Sequence, residues 1–473
     1  MSKLKNIIKQ LSTKDYTAIY ESLLNSNAEK SAYLLKFMRE KQLSDAKIME
    51  ELEVNNNAYY TLRSRLNQKI EEYLLEQMES PRTSLIKKVA TINEIIFTKK
   101  KTIAVATLKK LEKELLDYDL ANELTIVYKS LKKLLIHSPE DHFHYSQLYN
   151  RHVAYMLALD KSEDLLANYF KKYGEYMMGF DETDKMGLHL MREELINVSN
   201  LYQSHRLFVY SSFLNVFHQL FIEPEKKLVN DFEELFDKIQ STFDLYYLDS
   251  SYYHLILVLE YLRFEYYISI GEHKKAEKYY EDINESLSSL LTNYSLYTAS
   301  PDFLLSKLNY HLKNGTQTTI YEENKGLFED FEINKKNINE YLIYILYRSI
   351  SCYHADKYEE ASKWLNQFLN DTSIKKYPYI YMETKLVLAY QYCLLKDQDL
   401  FGQLVNSIQR QIRLLGKENC LHVVLFIKIL KVLISENRKE KNSKLSLLVK
   451  KFQKSLPNRF SPLSYLNIEE KLG

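Results

Sequence analysis

The sequence contains little glycine and little proline. Of its 473 residues, 9 are Gly and 7 are Pro, about 3% together where the average is about 12%. Glycine supplies the left-handed backbone of tight turns and lets a loop approach a phosphate closely, and proline is common in the turns of all-β proteins. Their scarcity argues against β-sandwiches, barrels and most nucleotide-binding α/β folds, and favours long helices joined by short polar turns.

Cysteine, excess charge and long apolar runs are also scarce. The three cysteines are widely spaced and form no CxxC pair, which indicates a reducing compartment. Lys+Arg (64) balance Asp+Glu (63), so no net charge attracts the whole protein to nucleic acid or acidic lipid. The longest apolar tract, 421–434, is interrupted by lysines and is too short to span a bilayer. Lysines also interrupt the first residues, where a signal peptide would be apolar. We therefore expect a cytoplasmic protein without a membrane segment.

Familiar catalytic and metal-binding motifs are missing as well. His142 and His144 would lie about 200° apart on a helix, so they cannot share a metal ion. Gly174 and Gly179 have phosphate-loop spacing, but Phe180 follows where such a loop needs lysine. Neither HExxH nor GxSxG occurs in the sequence. We expect no catalytic, cofactor-binding or metal-binding residues, and no enzyme.

Helical periodicity, in contrast, is present along most of the chain. Residues 273–290 show it most clearly, because apolar residues recur three or four positions apart and charged residues take the opposite face. A second helix-like run, 261–270, directly precedes this one. Gly271, between the two, can adopt the left-handed conformation that ends a helix. The pattern predicts an antiparallel helix hairpin over 261–290.

The same hairpin design recurs. Further pairs are predicted at 84–98 with 102–117, at 341–355 with 358–370, and around a turn at 396–398. Ala276 and Ala361, which hold equivalent positions in two of the hairpins, lie 85 residues apart, about twice a period of 42. A period of about 40 residues accommodates two helices and their turns, as in helical solenoids. Between 119 and 250 the predicted helices are longer and less regular.

Residues 266–280 resemble the middle of a tetratricopeptide repeat. The family pattern has a tyrosine in the first helix, glycine and an acid at the turn, a small residue early in the second helix, and an aromatic residue four positions later. The matching residues are Tyr267, Gly271, Ala276 and Tyr280. Residues 355–361 resemble the same turn, with Asp in place of Gly and with Tyr358 and Ala361 in the second helix. The resemblance implies close helix packing at small residues, aromatic filling between hairpins, and a binding scaffold.

Near the N-terminus, 44–66 resembles a DNA-binding helix-turn-helix. The apolar spacing of the motif falls on Ile48, Leu52, Val54, Tyr59 and Leu62. Side chains on its second helix that could reach base edges or phosphates are Asn56, Asn57, Tyr60, Thr61, Arg63 and Ser64. The motif usually has a small residue at the position of Met49 and glycine at that of Glu53, where a left-handed turn would strain glutamate. An ordinary helix hairpin that caps the solenoid is the other interpretation.

Together these patterns predict an all-α protein: a tetratricopeptide-like solenoid of antiparallel helix hairpins with a small N-terminal helical domain. We expect the N-terminal domain over 1–80, the solenoid over 81–435 and C-terminal capping helices over 436–473. The favoured function is a non-catalytic scaffold or adaptor that binds a protein or peptide in the solenoid groove, without a cofactor. The alternative is a transcription regulator similar to the peptide-sensing regulators of bacteria, with DNA contacted through 44–66 and a ligand sensed by the repeats. The partner and the oligomeric state stay open.

Overall fold

The computed structural model of the chain describes residues 4, 8, 11, 13–26, 28–39, 45–77, 81–179, 181–202, 204–224, 232–246, 252, 255–285, 301–328, 333–372, 374–434, 441–455 and 461–468. Every regular element over these residues is a helix, which confirms the all-α prediction. None of the described helices is both long and apolar enough to cross a membrane.

The described α-helices, in chain order, are α1 (Thr13–Asn25), α2 (Glu29–Arg39), α3 (Asp45–Glu51), α4 (Asn56–Gln77), α5 (Pro81–Ala90), α6 (Ile92–Thr98), α7 (Lys101–Asp117), α8 (Ala121–Leu134), α9 (Pro139–Gly179), α10 (Glu182–Leu201), α11 (His205–Phe221), α12 (Glu233–Leu245), α13 (Leu255–Ile270), α14 (His273–Glu285), α15 (Asp302–Asn314), α16 (Ile320–Leu327), α17 (Ile338–His354), α18 (Tyr358–Asp371), α19 (Pro378–Leu394), α20 (Gln398–Leu415), α21 (Leu421–Ile434) and α22 (Lys441–Ser455). Short 3₁₀ helices occupy Glu418–Cys420 and Pro462–Tyr465. The predicted extension of α14 to residue 290 lies outside the described residues.

The chain forms two compact units. Unit 1 comprises 1–115 with 248–250, and unit 2 comprises 116–247 with 251–473. The sequence of unit 1 has 21 basic and 16 acidic residues, a formal charge of +5, whereas that of unit 2 has 43 and 47, a formal charge of −4. The predicted domain limits at 80 and 435 stay predictions.

The first four helices of unit 1 enclose a small apolar core. α1 and α2 contact each other, and both contact α4. Buried side chains from all four helices form this core, including Ile19, Leu23, Leu34, Leu35, Ile48, Leu66 and Ile70. Further along the unit, α7 buries the four residues that the sequence pattern places on one face, namely Ala104, Leu108, Leu111 and Leu115.

The single helix predicted over 84–98 is wrong in one respect, because it is interrupted at Thr91. α5 ends at Ala90 and α6 begins at Ile92. The Oγ1 of Thr91 donates a hydrogen bond to the carbonyl oxygen of Lys88 at 2.8 Å. Threonine competes with helical hydrogen bonding in this way, and apolar periodicity alone does not reveal such a break.

Unit 2 contains one helix of 41 residues, α9, about 60 Å long at 1.5 Å per residue. It packs along α8 and α10, and it also contacts α11, α17 and α19. Tyr173 donates a hydrogen bond to Asp302 at the start of α15. Gly174 approaches α17 so closely that a Cβ atom there would lie 3.1 Å from Asn339 Nδ2. The C-terminal half of α9 therefore crosses the N-terminal ends of several later helices.

The remaining helices of unit 2 follow one another in pairs. The two helices pack together in α11–α12, α13–α14, α17–α18, α19–α20 and α21–α22, and α15 and α16 take the same place in the order. First helices of successive pairs also contact each other: α11 contacts α13, α15 contacts α17, and α19 contacts α21. This packing between neighbours is compatible with a helical solenoid.

First and second helices differ in burial. In the pair α17–α18, the first helix buries 13 of its 17 residues and the second buries 4 of its 14. In α19–α20, the numbers are 10 of 17 and 4 of 18. The first helices therefore form an inner layer with contacts on most sides, and these second helices cover it with one apolar face.

One type of turn ends five of the described helices. At its left-handed position stand Glu53, Gly271, Gly315, Asp356 and Lys396, with φ between 50° and 81°. The next N–H donates to the carbonyl five residues earlier, as from Lys357 to Cys352 at 2.9 Å, which is the Schellman pattern. Positions 271, 315, 356 and 396 are 44, 41 and 40 residues apart. The 85 residues between Ala276 and Ala361 therefore correspond to two repeats. The pair α15–α16 is the repeat between α13–α14 and α17–α18.

Candidate functional site

Segment 461–468 lies on the first helices of unit 2. Its 3₁₀ helix, Pro462–Tyr465, contacts α15 and α19. His354 Nε2 donates to the carbonyl oxygen of Tyr465 at 3.0 Å, and the Tyr353 hydroxyl donates to that of Asn467 at 3.1 Å. The segment buries Pro462, Leu463, Tyr465, Leu466 and Ile468. Side chains of α17 thus hold the backbone of an irregular peptide, and such contacts do not depend on the sequence of that peptide.

A buried carboxylate holds the start of this segment. Glu383 in α19 is 2% exposed, and it accepts hydrogen bonds from Ser461 Oγ at 2.5 Å and from His422 Nε2 at 2.8 Å. The histidine bonds the carboxylate rather than the serine hydroxyl, which differs from a nucleophilic triad, where histidine contacts the serine. The arrangement ties the segment to α19 and α21.

A groove of about 540 Å³ lies between α9 and the N-terminal ends of α15, α17 and α19. Its lining combines apolar side chains, such as Phe170 and Ile343, with the exposed lysines Lys171, Lys336 and Lys376. Helix N-terminal ends carry partial positive charge. The groove is therefore apolar inside and positive at its rim, as suits a ligand with both apolar and acidic groups.

Three acids also line this groove. Glu340 is partly buried at the start of α17, and burial raises the pKa of its carboxyl. This group therefore gains a proton more readily than a carboxyl in water. Glu175 and Asp302 are the other two acids.

The helix-turn-helix candidate of the sequence forms a helix–turn–helix path in unit 1. α3 is followed by Glu53 with φ +50° and then by α4. Glutamate thus occupies the left-handed position in which the motif usually has glycine. Ile48, Leu52 and Tyr59 are buried in the core of this unit, and Val54 and Leu62 pack against it.

The candidate DNA-contacting residues all belong to α4. Thr61 and Ser64 are exposed. Arg63 is partly buried, with its guanidinium carbon 5.7 Å from the ring centre of Tyr59. The side chains of Asn56, Asn57 and Tyr60 lie outside the described residues.

The candidate repeat-packing residues lie in and beside the helix pairs. Ala276 and Ala361 are fully buried, at 0% exposure. Tyr280 stacks on Tyr310, with ring centres 4.1 Å apart, and its hydroxyl lies 2.7 Å from His311 Nε2.

The others lie at or near the hairpin turns. Tyr267 is 7% exposed, and burial raises its pKa to about 12. Gly271 is exposed at the turn with φ +81°. Tyr358 is partly buried near Tyr353, with ring centres 6.2 Å apart.

Sequence reasoning missed two groups of residues that the fold brings together. Glu383 and Ser461 are 78 positions apart, and the signal that could have indicated them is an acid inside the apolar run of α19. His189, His218 and Glu223 offer ligand atoms within 4.8 Å of one another, although sequence analysis expected no metal-binding residues. Their spacing matches no motif, so only the packing of α10 against α11 brings them together.

Comparisons with other proteins identify no relative. No protein-family model, no curated protein and no solved structure matches the chain. The tetratricopeptide resemblance therefore depends on the residues of the hairpins themselves.

Proposed function

We propose that the protein is a non-catalytic scaffold that binds a protein or peptide on the first helices of a tetratricopeptide-like solenoid. The observation that carries the proposal is segment 461–468, an irregular peptide whose backbone carbonyls accept hydrogen bonds from Tyr353 and His354. The first helices of unit 2 therefore carry side-chain donors of the kind that hold a peptide backbone.

The groove beside α9 is the accessible part of this inner layer. Lys171, Lys336 and Lys376 surround it and are exposed, so a partner segment needs acidic groups at its ends and apolar side chains between them. Because preformed helices line the groove, binding orders the partner more than the scaffold.

Peptide selection on the full-length protein tests this proposal. We expect peptides with acidic residues at their ends and apolar residues between them. We expect the double substitution Lys336→Glu and Lys376→Glu to weaken their binding at least tenfold, measured by fluorescence anisotropy. The matched control is Lys428→Glu with Lys431→Glu, an equal charge change at two exposed positions of α21. Equal losses in both variants, or no selected peptide, would contradict the proposal.

A second candidate function is DNA binding by unit 1. It is favoured by the left-handed turn at Glu53 between α3 and α4, and by the positive formal charge of the unit. Exposed Thr61, Ser64 and Arg65 lie along one helix, where such groups reach bases and phosphates.

A gel shift with genomic fragments at low salt tests the second candidate. We expect a shifted band that disappears as salt increases and that Arg65→Glu weakens. Lys100→Glu, an equal charge change at another exposed position of unit 1, should bind like the wild type. Absence of a shift at low salt excludes this function for the full-length protein.

A further inference from the structure

Two histidines and a glutamate meet where α9, α10 and α11 pack together. His189 is in α10, His218 is in α11, and Glu223 lies just beyond α11. Each offers one ligand atom, and these atoms lie within 4.8 Å of one another. His218 is fully buried, whereas the side chains of His189 and Glu223 are 35% and 15% exposed. The cluster is closed on its inner side and reaches solvent at His189.

Tyr169 orients the ring of His218. Its hydroxyl oxygen lies 2.9 Å from His218 Nδ1, and the tyrosine is fully buried in α9. With its own proton on Nδ1, His218 donates to that oxygen and presents a lone pair on Nε2. Metal-ligating histidines are commonly oriented by a second hydrogen bond of this kind.

His189 supplies an independent observation. Its Nδ1 atom is buried and makes no hydrogen bond to the protein. Glu223 Oε1 is 4.0 Å from it, beyond hydrogen-bonding distance. Buried polar atoms in proteins normally have a hydrogen-bond partner or bind an ion, so this nitrogen is available as a ligand.

We propose that His189, His218 and Glu223 bind a zinc ion, or a similar divalent transition-metal ion, with water at the fourth position. Two imidazole nitrogens and one carboxylate oxygen form a known three-residue ligand set for zinc. With bonds of about 2.0–2.1 Å and tetrahedral geometry, ligand atoms lie about 3.4 Å apart. Binding therefore draws the side chains together by roughly 1 Å, and His189 is the most exposed of the three.

A positive charge of α10 is paired outside the cluster. Arg192 lies three residues after His189 in α10, and its Nη2 donates a hydrogen bond to Glu193. That bond lowers the pKa of Glu193, so the two form an ion pair beside the cluster. The carboxylate of Glu223 then supplies the negative charge within the ligand set.

Cobalt(II) titration of the metal-free full-length protein tests the site, because tetrahedral Co²⁺ absorbs strongly in the visible region and zinc displaces it. We expect one Co²⁺ per chain. His189→Ala should weaken binding at least tenfold. His273→Ala, at an exposed position of α14, is the matched control and should bind like the wild type.

Tyr169→Phe adds a readout of ring orientation. It keeps all three ligands but removes the second hydrogen bond, so we expect affinity to fall about tenfold with the stoichiometry unchanged. Circular dichroism shows that each variant is folded, and zinc should raise the melting temperature of the wild type but not of His189→Ala. A titration without bound cobalt, or equal affinity in His189→Ala and His273→Ala, overturns the proposal.

Discussion

The first and second helices of the pairs in unit 2 differ in burial and in how their charged side chains are accommodated. A second helix such as α18 has one apolar face and one solvated face, so its charged residues need no partner within the protein. A first helix such as α17 is covered on most sides. Among the described residues of the six pairs, the buried Asp, Glu and Lys side chains all lie on first helices, and they are Glu265, Asp302, Lys307 and Glu383.

These buried charges have partners. Lys307 Nζ donates to Asn284 Oδ1 at 2.7 Å and to Glu323 Oε2 at 2.6 Å. Glu265 accepts from Ser306, and Asp302 accepts from Tyr173. An unpaired buried charge would cost several kcal/mol, so each partner restricts how the helices can be arranged. The buried charges of the inner layer therefore make specific contacts, and the second helices α14 and α16 supply the partners of Lys307.

The largest expected effect is a cavity in the inner layer. Leu386 in α19 is fully buried, and Leu386→Ala should lower the free energy of unfolding by about 2–5 kcal/mol. The matched substitution on the partner helix is Leu414→Ala, where the side chain is 86% exposed and the expected change is within about 0.5 kcal/mol. Urea denaturation measures the unfolding free energy of both variants. Equal losses of stability would contradict the difference in burial between first and second helices.

A smaller effect is expected from removing a hydrogen bond to the buried acid of α19. Ser461→Ala leaves Glu383 Oε2 without the 2.5 Å bond from the serine hydroxyl, which should cost about 1–3 kcal/mol. Segment 461–468 should then detach more often, so chymotrypsin should cleave after Tyr465 faster than in the wild type. Gln453→Ala, at an exposed position of α22, should leave the cleavage rate unchanged.

Acid should destabilise the inner layer through His311 in α15. Burial lowers the pKa of His311 below its ordinary value of 6.5, with Glu323 opposing and Lys307 adding to this shift. The unfolded chain therefore binds more protons in acid. The stability contributed by neutral His311 is complete above about pH 6.5 and is lost as the pH falls through the folded-state pKa.

Urea denaturation between pH 7.5 and 5 measures this loss. His311→Gln should flatten the pH dependence of the unfolding free energy. His273→Gln, on the second helix α14 and exposed, should leave it as steep as in the wild type. If the unfolding free energies of both variants depend on pH as steeply as that of the wild type, His311 does not cause the loss of stability in acid.

The smallest expected effect concerns the turns between the layers. Lys396 has φ +61°, a conformation in which a side chain costs about 1 kcal/mol. Lys396→Gly should therefore stabilise the protein by roughly 0.5–1 kcal/mol. Lys363→Gly, inside α18 and exposed, should instead destabilise it by about 1 kcal/mol. Melting temperatures that change in the same direction in both variants would contradict this account of the turn.

Helices and turns of this fold are predictable from the sequence, whereas contacts between residues far apart in the chain are not. The hairpin over 341–370 and the turn at Asp356 follow from apolar spacing and turn chemistry within about 30 residues, and the structure has them. The contact between Gly174 and Asn339 joins positions far apart in the chain, and no periodicity encodes it. The same is true of Glu383 with Ser461 and of the histidine cluster, because tertiary packing alone decides which polar residues meet.

The length and position of α9 have a consequence for synthesis on the ribosome. Its C-terminal half contacts α17 and α19, and α17 begins at residue 338, about 160 residues after α9 ends. At 5–20 residues per second, translation needs roughly 8–30 s to cover that distance. During this time buried residues of α9, such as Tyr173 and Met177, lack part of their final packing. The nascent chain therefore exposes an apolar stripe of α9 before the helices that cover it have been synthesised.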